Sequence, residues 1–287
     1  MQDRLIEKKT SLNFKGKLED INVPKIMGIL NLTPDSFYDG GSNSTSDTAI
    51  KNVKKMLHDG AHYIDVGGYS SRPGASAVGL QEEIDRVSPI IQSLTQEFPG
   101  IHISIDTFRS QVADSALANG ACMINDISGG DLDPEIWNVA AHHCVPYIAM
   151  HMKGKPSNMQ NQPCYTNVVD EILLHLSEKI SHIKKVGVKD IIIDPGFGFG
   201  KTIDHNYEIM RNLGAFTLLE CPILVGISRK SMIYNLLEST PEDALNGTTV
   251  LNTLALSKGA DILRVHDVKQ AVETLKIWSK VNLPFSK

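Results

Sequence analysis

Short apolar runs rich in β-branched residues alternate with amphipathic segments along most of the chain. Eight such runs stand at residues 25–30, 63–67, 102–106, 123–126, 146–150, 190–194, 222–226 and 261–265. Runs of this length and composition are typical of strands that are buried on both faces of a parallel sheet. The pattern therefore predicts eight parallel strands.

Helical patterns fill the segments between these runs. Apolar positions recur on one face of residues 47–58, where Asp47 can cap the first turn, and similar stripes mark residues 168–186 and 268–278. A glycine, which accepts the left-handed conformation found just past helix ends, precedes four of the strands: Gly60, Gly120, Gly187 and Gly259. Repeated units of helix, glycine and strand predict an α/β fold.

Eight such units fit two architectures, a closed (β/α)₈ TIM barrel and an open doubly wound sheet. Polar residues at the strand ends distinguish them, because a barrel brings the ends of many strands to one point and an open sheet mostly does not. Such residues follow nearly every strand: Asn31, Asp65, Asp106, Asn125, Asp126, His151, Asp194, residues 228–230, Arg264 and His266. The pattern favours the barrel.

Length and the N-terminal pattern bear on domain organisation. A chain of 287 residues is close in size to one barrel with modest insertions, so residues 1–287 are interpreted as a single domain. Residues 11–23 alternate loosely around Gly16 and predict a β-hairpin that closes the bottom of the barrel. We assign this hairpin to an N-terminal extension of residues 1–24.

Charge and composition disfavour several classes of partner. A formal net charge of −5 offers no basic stripe for a nucleic-acid backbone, although a small anionic ligand needs only local cations. The apolar runs are too short to span a bilayer, and the polar start of the chain lacks the apolar stretch of a secretory signal. Four cysteines without metal-ligand spacing are interpreted as reduced core thiols: Cys122, Cys144, Cys164 and Cys221. We therefore expect a cytoplasmic protein that binds neither nucleic acid nor membrane.

Seven short motifs occur in order at the predicted strand ends. They are Asn31-Leu-Thr-Pro-Asp-Ser-Phe37, Gly67-Gly-Tyr-Ser-Ser-Arg-Pro-Gly74, Asp106-Thr-Phe108, Asn125-Asp126, Asp194-Pro-Gly196, Ser228-Arg-Lys-Ser231 and Arg264-Val-His266. Together they resemble the ordered signature of the dihydropteroate synthases, and the resemblance covers the chain from Lys25 onward. One departure stands in the second motif, where Tyr69 replaces a Glu and Ser71 replaces a Thr of the family pattern.

The resemblance implies a transferase of folate biosynthesis that sulfonamides inhibit. Such an enzyme condenses 6-hydroxymethyl-7,8-dihydropterin pyrophosphate with 4-aminobenzoate and releases pyrophosphate and 7,8-dihydropteroate. By resemblance, we expect a homodimer, a Mg²⁺ ion and four catalytic residues, namely Asp106, Lys230, Arg264 and His266.

A pterin pocket follows from the same resemblance. A dihydropterin presents a flat amino-pyrimidinone edge, which buried carboxylates and amides can bind through paired hydrogen bonds. Asp194 and Asn125 carry groups that suit this edge, and Lys230 would lie near the ring carbonyl. The implied pterin-binding residues are Asp106, Asn125, Ile127, Met150, Asp194, Lys230 and Arg264.

Sites for pyrophosphate and 4-aminobenzoate complete the implied active site. The pyrophosphate residues are Asn31, Arg72, Arg264 and His266, and the 4-aminobenzoate residues are Ser71, Pro73, Phe199 and Ser231. Arg264 and His266 lie two positions apart at the end of the last strand, so their side chains point to the same side. By resemblance, Asn31 would help to hold the Mg²⁺ ion. One protein ligand is consistent with magnesium binding, because magnesium relies on substrate phosphates more than on a protein cage.

Each of these residues also has an ordinary structural interpretation. Asp106 or Asp194 alone could cap a helix at the top of the barrel. Arg264 could form a surface ion pair with Asp267, and the apolar pocket residues could be ordinary core. Two other functions share part of the pattern: a pterin-binding methyltransferase on a similar barrel, which has no use for a diphosphate pocket, and a non-catalytic sensor of pterins or anions.

Two motifs are rejected as functional sites. Residues 195–202 resemble a nucleotide-binding P-loop, but Pro195 stands where the first glycine is required. Lys201 stands where a dinucleotide motif needs its last glycine. The His-His-Cys cluster at residues 142–144 lacks metal-ligand spacing and is interpreted as structural.

Overall fold

The structure is a computed structural model that describes residues 9–32, 42–69, 78–154, 159 and 163–282. Within these residues, the strands form a two-stranded antiparallel hairpin and an eight-stranded parallel sheet. The hairpin consists of β1 (Ser11–Phe14) and β2 (Lys17–Asp20). The parallel strands are β3 (Lys25–Asn31), β4 (Tyr63–Gly67), β5 (His102–Asp106), β6 (Met123–Asp126), β7 (Tyr147–Met150), β8 (Ile191–Asp194), β9 (Leu224–Val225) and β10 (Ile262–Val265).

Helices alternate with the parallel strands. They are α1 (Ser42–His58), α2 (Leu80–Glu97), α3 (Ser110–Ala118), α4 (Ile136–His142), α5 (Val168–Val186), α6 (Ile203–Arg211), α7 (Ser231–Tyr234), α8 (Leu245–Ser257) and α9 (Val268–Asn282), with a 3₁₀ helix over Leu213–Leu219. Local sequence sets their ends. The side chain of Asn167 caps α5 by accepting hydrogen bonds from the first free N–H groups, and Gly187, at φ 108°, ends the helix in the left-handed region.

The parallel sheet closes on itself. Neighbouring strands pair in chain order from β3 to β8, and β10 pairs with both β3 and β9. A single bridge between Ile193 and Ile223 joins the two edges, and the N–H of Ile193 donates to the carbonyl of Pro222 at 2.9 Å. The predicted (β/α)₈ barrel is confirmed.

Alternate residues of each strand point into the barrel and out toward the helices. Outward side chains such as Ile64, Val66, Ile103 and Ile105 form the main core with the surrounding helices. Inward residues at the amino ends of the strands form a second core, which includes Met27, Tyr63, Met123, Ile148 and Ile192. This separation leaves the inward positions at the carboxyl ends for other side chains.

The hairpin packs against the amino-terminal end of the barrel. Leu12, Phe14 and Ile21 are buried in the same cluster as the inward residues of the strand starts. The turn uses Lys15 and Gly16, both at positive φ, and the N–H of Gly16 donates to the side chain of Asn13 at 2.7 Å. The predicted hairpin at the barrel bottom is therefore present.

Three details differ from the sequence predictions. Helix α1 begins at Ser42 rather than at Asp47, because its first turn is polar and carries no apolar periodicity. Strand β9 keeps two of its five predicted residues, since Pro222 has no N–H to donate and pairing with β10 covers Leu224 and Val225 alone. Cys144 and Cys164 are free but exposed, so the prediction of core thiols holds for Cys122 and Cys221 only.

In the described part of the chain, no helix combines the length and the apolar character that crossing a membrane requires.

Candidate active site

Inward-facing positions change from apolar to polar toward the carboxyl ends of the strands. Side chains two residues apart on a strand point to the same side. On each of these strands, the inward position two residues after an inward residue nearer the amino end therefore also points into the barrel. These positions are Asn31, Asp65, Asp106, Asn125, Asp194 and Arg264. Strand periodicity and barrel closure alone bring these polar groups to one end of the molecule.

Arg264 on β10 is at the centre of this polar group. Its Nε donates to Asp65 Oδ2 at 2.6 Å, and its Nη2 donates to Asp106 Oδ2 at 2.7 Å. The amide of Asn125 also donates to Asp65 Oδ2, at 2.9 Å. The carboxylate of Asp65 on β4 thus joins two predicted site residues, Arg264 and Asn125, and Arg264 connects them to a third, Asp106.

Two carboxylates share the single guanidinium. Burial raises the pKa of Asp106 to about 7, with Arg264 opposing the shift and the nearby Asp65 adding to it. Burial also acts to lower the pKa of Arg264, but the two carboxylates outweigh it and raise that pKa. Asp106 therefore exchanges its proton near neutral pH, whereas Arg264 stays charged.

Asp194 and Lys230 influence each other electrostatically without a direct ion pair among the described contacts. Asp194 is 6% exposed, and its Oδ1 accepts from the N–H of Gly196 at 2.7 Å. Burial raises the pKa of Asp194, and the ammonium of Lys230 lowers it. Burial lowers the pKa of Lys230 to about 8, Asp194 raises it, and Arg264 lowers it further. Each member of the pair therefore favours the charged form of the other.

The turn after β8 holds Lys230 in place. Lys230 Nζ donates to the carbonyl of Phe197 at 2.5 Å and lies 4.7 Å from the centre of the Phe199 ring. A Cβ at Gly198 would lie 3.3 Å from Lys230 Cδ, and φ there is 82°. Glycine lets this turn wind closely around the lysine side chain.

An apolar cluster lies beside the charged residues. Ile127 and Met150 are buried together with Met152 and Met159, and Phe199 packs against them. The structure therefore brings two predicted pterin residues, Ile127 and Met150, together with one predicted 4-aminobenzoate residue, Phe199, in one small cluster. Phe199 contacts both this cluster and Lys230, so it links the apolar and the charged parts of the site.

Asn31 lies next to Asp106 across Gly67. A Cβ at Gly67 would lie 3.8 Å from Asn31 Oδ1 and 3.7 Å from Asp106 Oδ2. The glycine thus leaves space beside two oxygen atoms, which are the ligands that Mg²⁺ prefers. Among the described residues, no group of three or more His, Cys, Asp or Glu side chains could hold a metal ion.

The remaining predicted residues lie at the rim or outside the described residues. His266 is exposed, and its Nδ1 is 3.1 Å from Ser228 Oγ. Ser231 is exposed at the start of α7, a helix of four residues. Three residues that were predicted to bind substrates lie outside the described residues: Ser71, Arg72 and Pro73.

Two sequence interpretations can now be settled. Asp267 pairs with Arg229, whose Nε and Nη2 lie 2.8 and 2.9 Å from its carboxylate, so the surface pair of Arg264 with Asp267 is wrong. His143 Nε2 lies 2.7 Å from Asp114 Oδ1 between neighbouring helices, which agrees with a structural role for that cluster.

Asp65 is a site residue that the sequence prediction missed. Its side chain is fully buried, and its Oδ2 accepts from both Arg264 and Asn125. Its Oδ1 is also buried and has no hydrogen-bond partner among the described residues. The available signal was its place among the polar strand ends, but it belongs to none of the seven motifs.

Comparison with known proteins identifies the family. A model of the family described as pterin binding enzyme matches residues 27–266. The dihydropteroate synthase of Synechocystis sp. is 47% identical over 255 residues, which cover 88% of each chain. The chain belongs to the dihydropteroate synthases. It is therefore a transferase that catalyses the dihydropteroate synthase reaction, and the resemblance seen in the motifs is confirmed.

Solved structures of dihydropteroate synthases share the fold over nearly the whole chain. The Yersinia pestis enzyme in a sulfonamide drug complex superposes with a TM-score of 0.89 at 39% identity, over 96% of this chain and 100% of that chain. The Xanthomonas albilineans enzyme in complex with 7,8-dihydropteroate gives a TM-score of 0.86 at 35% identity, with the same coverage of both chains. These two relatives bind a sulfonamide drug and 7,8-dihydropteroate, respectively.

Proposed function

We propose that the chain joins 6-hydroxymethyl-7,8-dihydropterin pyrophosphate to 4-aminobenzoate through the polar side chains at the carboxyl end of its barrel. One observation carries the residue assignment. The Cβ that Gly226 lacks would lie 4.0 Å from Asp194 Oδ2 and 3.8 Å from Arg264 Cβ. A position without a side chain between a buried carboxylate and the aliphatic stem of an arginine leaves space for a flat polar ring.

Asp194, Asn125 and Lys230 would bind the edge of the pterin. Asp194 uses Oδ1 for the N–H of Gly196, while its Oδ2 faces the space at Gly226 and can accept from the amino-pyrimidinone edge. Asn125 donates to Asp65, which leaves its amide oxygen to accept from a ring N–H. The ammonium of Lys230 would donate to the ring carbonyl. Ile127 and Met150 would pack beside the ring.

The reaction replaces a C–O bond by a C–N bond at the pterin methylene carbon. In the proposed sequence, the C–O bond breaks first and its electron pair leaves on the pyrophosphate. The resulting cation is delocalised into the dihydropterin ring, where the Asp106 carboxylate faces it. The lone pair of the 4-aminobenzoate nitrogen then forms the new bond, and the nitrogen loses a proton. An arylamine is already neutral near pH 7, so the attack needs no strong general base.

Arg264 and His266 would stabilise the charge on the departing pyrophosphate, with Arg72 beyond the described residues as a third cation. We also propose that Mg²⁺ takes part, since Asn31 Oδ1 and the space at Gly67 fit one oxygen ligand of an ion held mainly by diphosphate and water. When bound, the ion would supply additional positive charge against the leaving group.

The 4-aminobenzoate pocket would lie against Phe199. This ring packs on the methionine cluster and on Lys230, which places a flat apolar surface next to the pterin residues. Ser231, at the start of α7, would contact the carboxylate, and Ser71 and Pro73 would contribute from outside the described residues. A relative binds 7,8-dihydropteroate, the product in which the pterin and 4-aminobenzoate parts are joined, and this supports adjacent subsites.

A turnover assay tests the function. The purified chain, given the dihydropterin pyrophosphate, 4-aminobenzoate and Mg²⁺, should form 7,8-dihydropteroate and pyrophosphate in equal amounts. Omission of 4-aminobenzoate controls for simple hydrolysis. Release of pyrophosphate without coupled product, or no release at all, would contradict the proposal.

The two perturbed groups predict a bell-shaped pH dependence of kcat/KM for the pterin substrate. Asp106 must be ionised to face the cation, so activity should rise as the pH passes its pKa of about 7. Lys230 must be protonated to donate, so activity should fall as the pH passes its pKa of about 8. Asp106→Asn should remove the acidic limb, and Lys230→Arg should remove the alkaline limb. If both limbs persist in these variants, they belong to the substrate, and the assignment fails.

Asn31→Ala should raise the Mg²⁺ concentration needed for half-maximal turnover. We expect a change of roughly ten- to a hundredfold, the range seen when a contact that supports a metal is removed. Binding of a pterin that lacks phosphate should stay unchanged, because that ligand brings no site for the ion. Asn138→Ala, at an exposed asparagine on α4, is the control. Full activity of the unaltered chain in excess chelator would refute the role of magnesium.

A homodimer and a cytoplasmic location are also part of the proposal. Helices α8 and α9 expose Val250, Leu254, Ile277 and Val281 beside a groove of about 540 Å³, which a second copy could cover. Sedimentation analysis of the purified chain tests for the homodimer.

The exposed free thiols of Cys144 and Cys164 agree with a reducing compartment.

A further inference from the structure

The turn between β8 and α6 carries a buried lysine that the reaction described above does not use. Lys201 is 3% exposed, although a lysine is almost never fully buried unless its charge is paired. Its Nζ lies 3.0 Å from His151 Nδ1 and 3.2 Å from the carbonyl of His151. It also donates to the carbonyl of Phe199 at 3.0 Å. The side chain therefore joins the end of β7 to the turn after β8.

The three acceptors match the three N–H groups of an ammonium. Burial lowers the pKa of His151 to about 2, so its ring is neutral and Nδ1 can accept. Burial also lowers the pKa of Lys201, while the carboxylate of Asp194 raises it. A neutral amine would fill the same three contacts, because it donates to the two carbonyls and its lone pair accepts from the ring tautomer in which Nδ1 carries the hydrogen. In either charge state, the Lys201 amine is fully paired with the end of β7 and with the turn.

The turn that Lys201 anchors is tightly wound against β7. A Cβ at Gly196 would lie 1.9 Å from the carbonyl oxygen of His151, and one at Gly200 would lie 2.3 Å from that of Lys153. Both glycines have positive φ, 73° and 62°. Neither position tolerates a side chain, so the turn is built for close approach to the end of β7.

The same turn holds Lys230. Phe197 supplies the carbonyl that accepts from Lys230 Nζ, and Phe199 supplies the ring beside it. The carbonyl of Phe199 is in turn one of the three acceptors of Lys201. One short segment therefore has the buried Lys201 amine on one side and the proposed pterin-binding ammonium of Lys230 on the other.

We infer that Lys201 is a positioning residue, which fixes the turn after β8 against His151 and thereby sets the place of Lys230 in the pterin site. This inference rests on the proposed function for its effect on turnover, but the link between the two lysines does not. Without the buried amine, the carbonyl of Phe199 and the ring of His151 lose their shared hydrogen-bond partner. The turn then relaxes, and Lys230 loses its fixed partners.

Lys201→Met replaces the amine by an apolar side chain of similar length, and Lys201→Arg keeps a cationic hydrogen-bond donor. The direct readout is the labelling rate of the Lys230 amine by an amine-reactive reagent, followed by peptide mass spectrometry without substrate. Labelling should be several-fold faster in Lys201→Met than in the unaltered chain. In turnover, KM for the pterin substrate should rise and kcat should fall by up to roughly a hundredfold, the cost of a misplaced contact group. Lys201→Arg should restore part of both effects.

Ile183→Ala is the matched control for lost stability. Ile183 is fully buried near the end of α5, close to where β8 begins and away from the turn. This variant should melt earlier than the unaltered chain but keep the Lys230 labelling rate, KM and kcat per folded molecule. A merely structural role for Lys201 predicts the same behaviour for Lys201→Met, which would overturn the inference.

His151→Leu serves if Lys201→Met does not fold. It removes one of the three acceptors while the lysine stays, and it should raise the Lys230 labelling rate to a smaller extent. An unchanged rate would also overturn the inference. Failure of the unaltered chain to release pyrophosphate would instead refute the proposed function and leave the labelling result standing.

Discussion

Replacing Asp194 with alanine should abolish tight binding of a dihydropterin while the barrel remains folded. The carboxylate is buried at the end of β8, where its Oδ2 faces the space at Gly226. Without it, the donors of the bound pterin edge stay unpaired in a site that excludes water, which costs on the order of 1 to 3 kcal/mol or more. Lys230 also loses the group that raises its pKa, so it is less fully charged near pH 8. Calorimetric titration with a pterin analogue measures the effect.

Asp190→Ala provides the matched control for this variant. Asp190 is also 6% exposed, and it lies immediately before the first residue of β8. Its Oδ1 pairs with Lys9 Nζ at 2.6 Å. Its loss should lower stability without changing pterin affinity. Equal affinities in the unaltered chain and in Asp194→Ala would show that the pterin binds elsewhere.

Replacing Arg264 with methionine should cost both stability and activity. The change leaves the carboxylates of Asp65 and Asp106 buried without their shared cation, a loss of about 3 to 5 kcal/mol for a broken buried pair. Turnover should fall by roughly a hundred- to a thousandfold, as when one group that stabilises a developing anion is removed. Chemical denaturation and steady-state kinetics measure the two effects.

The stability loss should depend on pH in one direction. Asp106 already has a raised pKa in the folded chain, and removing Arg264 takes away the group that opposes this shift. A folded pKa above the unfolded one makes stability fall as the pH rises between the two values, so the loss should be larger at pH 8 than at pH 5. Arg229→Met removes a comparable pair with Asp267 outside the inner ring. If both variants lose the same stability at both pH values, Arg264 has no special place in the site.

Strand periodicity made much of the fold predictable from the sequence. The bounds of β4, β5 and β6 agree with the predicted runs, because strands buried on both faces read as continuous apolar segments. Helix α1 was placed too late, since its first turn is polar and no apolar spacing marks it. Periodicity detects an apolar face, and it carries no signal where the first turn of an element contains only polar residues.

The members of the site were easier to predict than their contacts. Arg264, Asp106 and Asn125 stand in recognisable motifs, but the partner that connects two of them, Asp65, lies 199 residues before Arg264 in the chain. Their contact depends on how the closing strand is aligned with its neighbours, which no local pattern encodes. Lys201 was noted only as a misfit to a glycine motif, because its burial results from a turn wound through three glycines at positive φ.

Among the described residues, the hairpin packed beneath the barrel closes its amino-terminal end, so substrates would enter from the carboxyl end of the strands. Leu12, Phe14 and Ile21 fill the amino-terminal end of the barrel. Substrates would therefore reach the polar end past the rim where His266 and Ser231 are exposed. The proposed pterin residues are less exposed than these two, so in the proposed assignment the pterin would lie beneath 4-aminobenzoate. A molecule bound at the outer subsite would then block release from the inner one, and pterin exchange should slow whenever the outer subsite is filled.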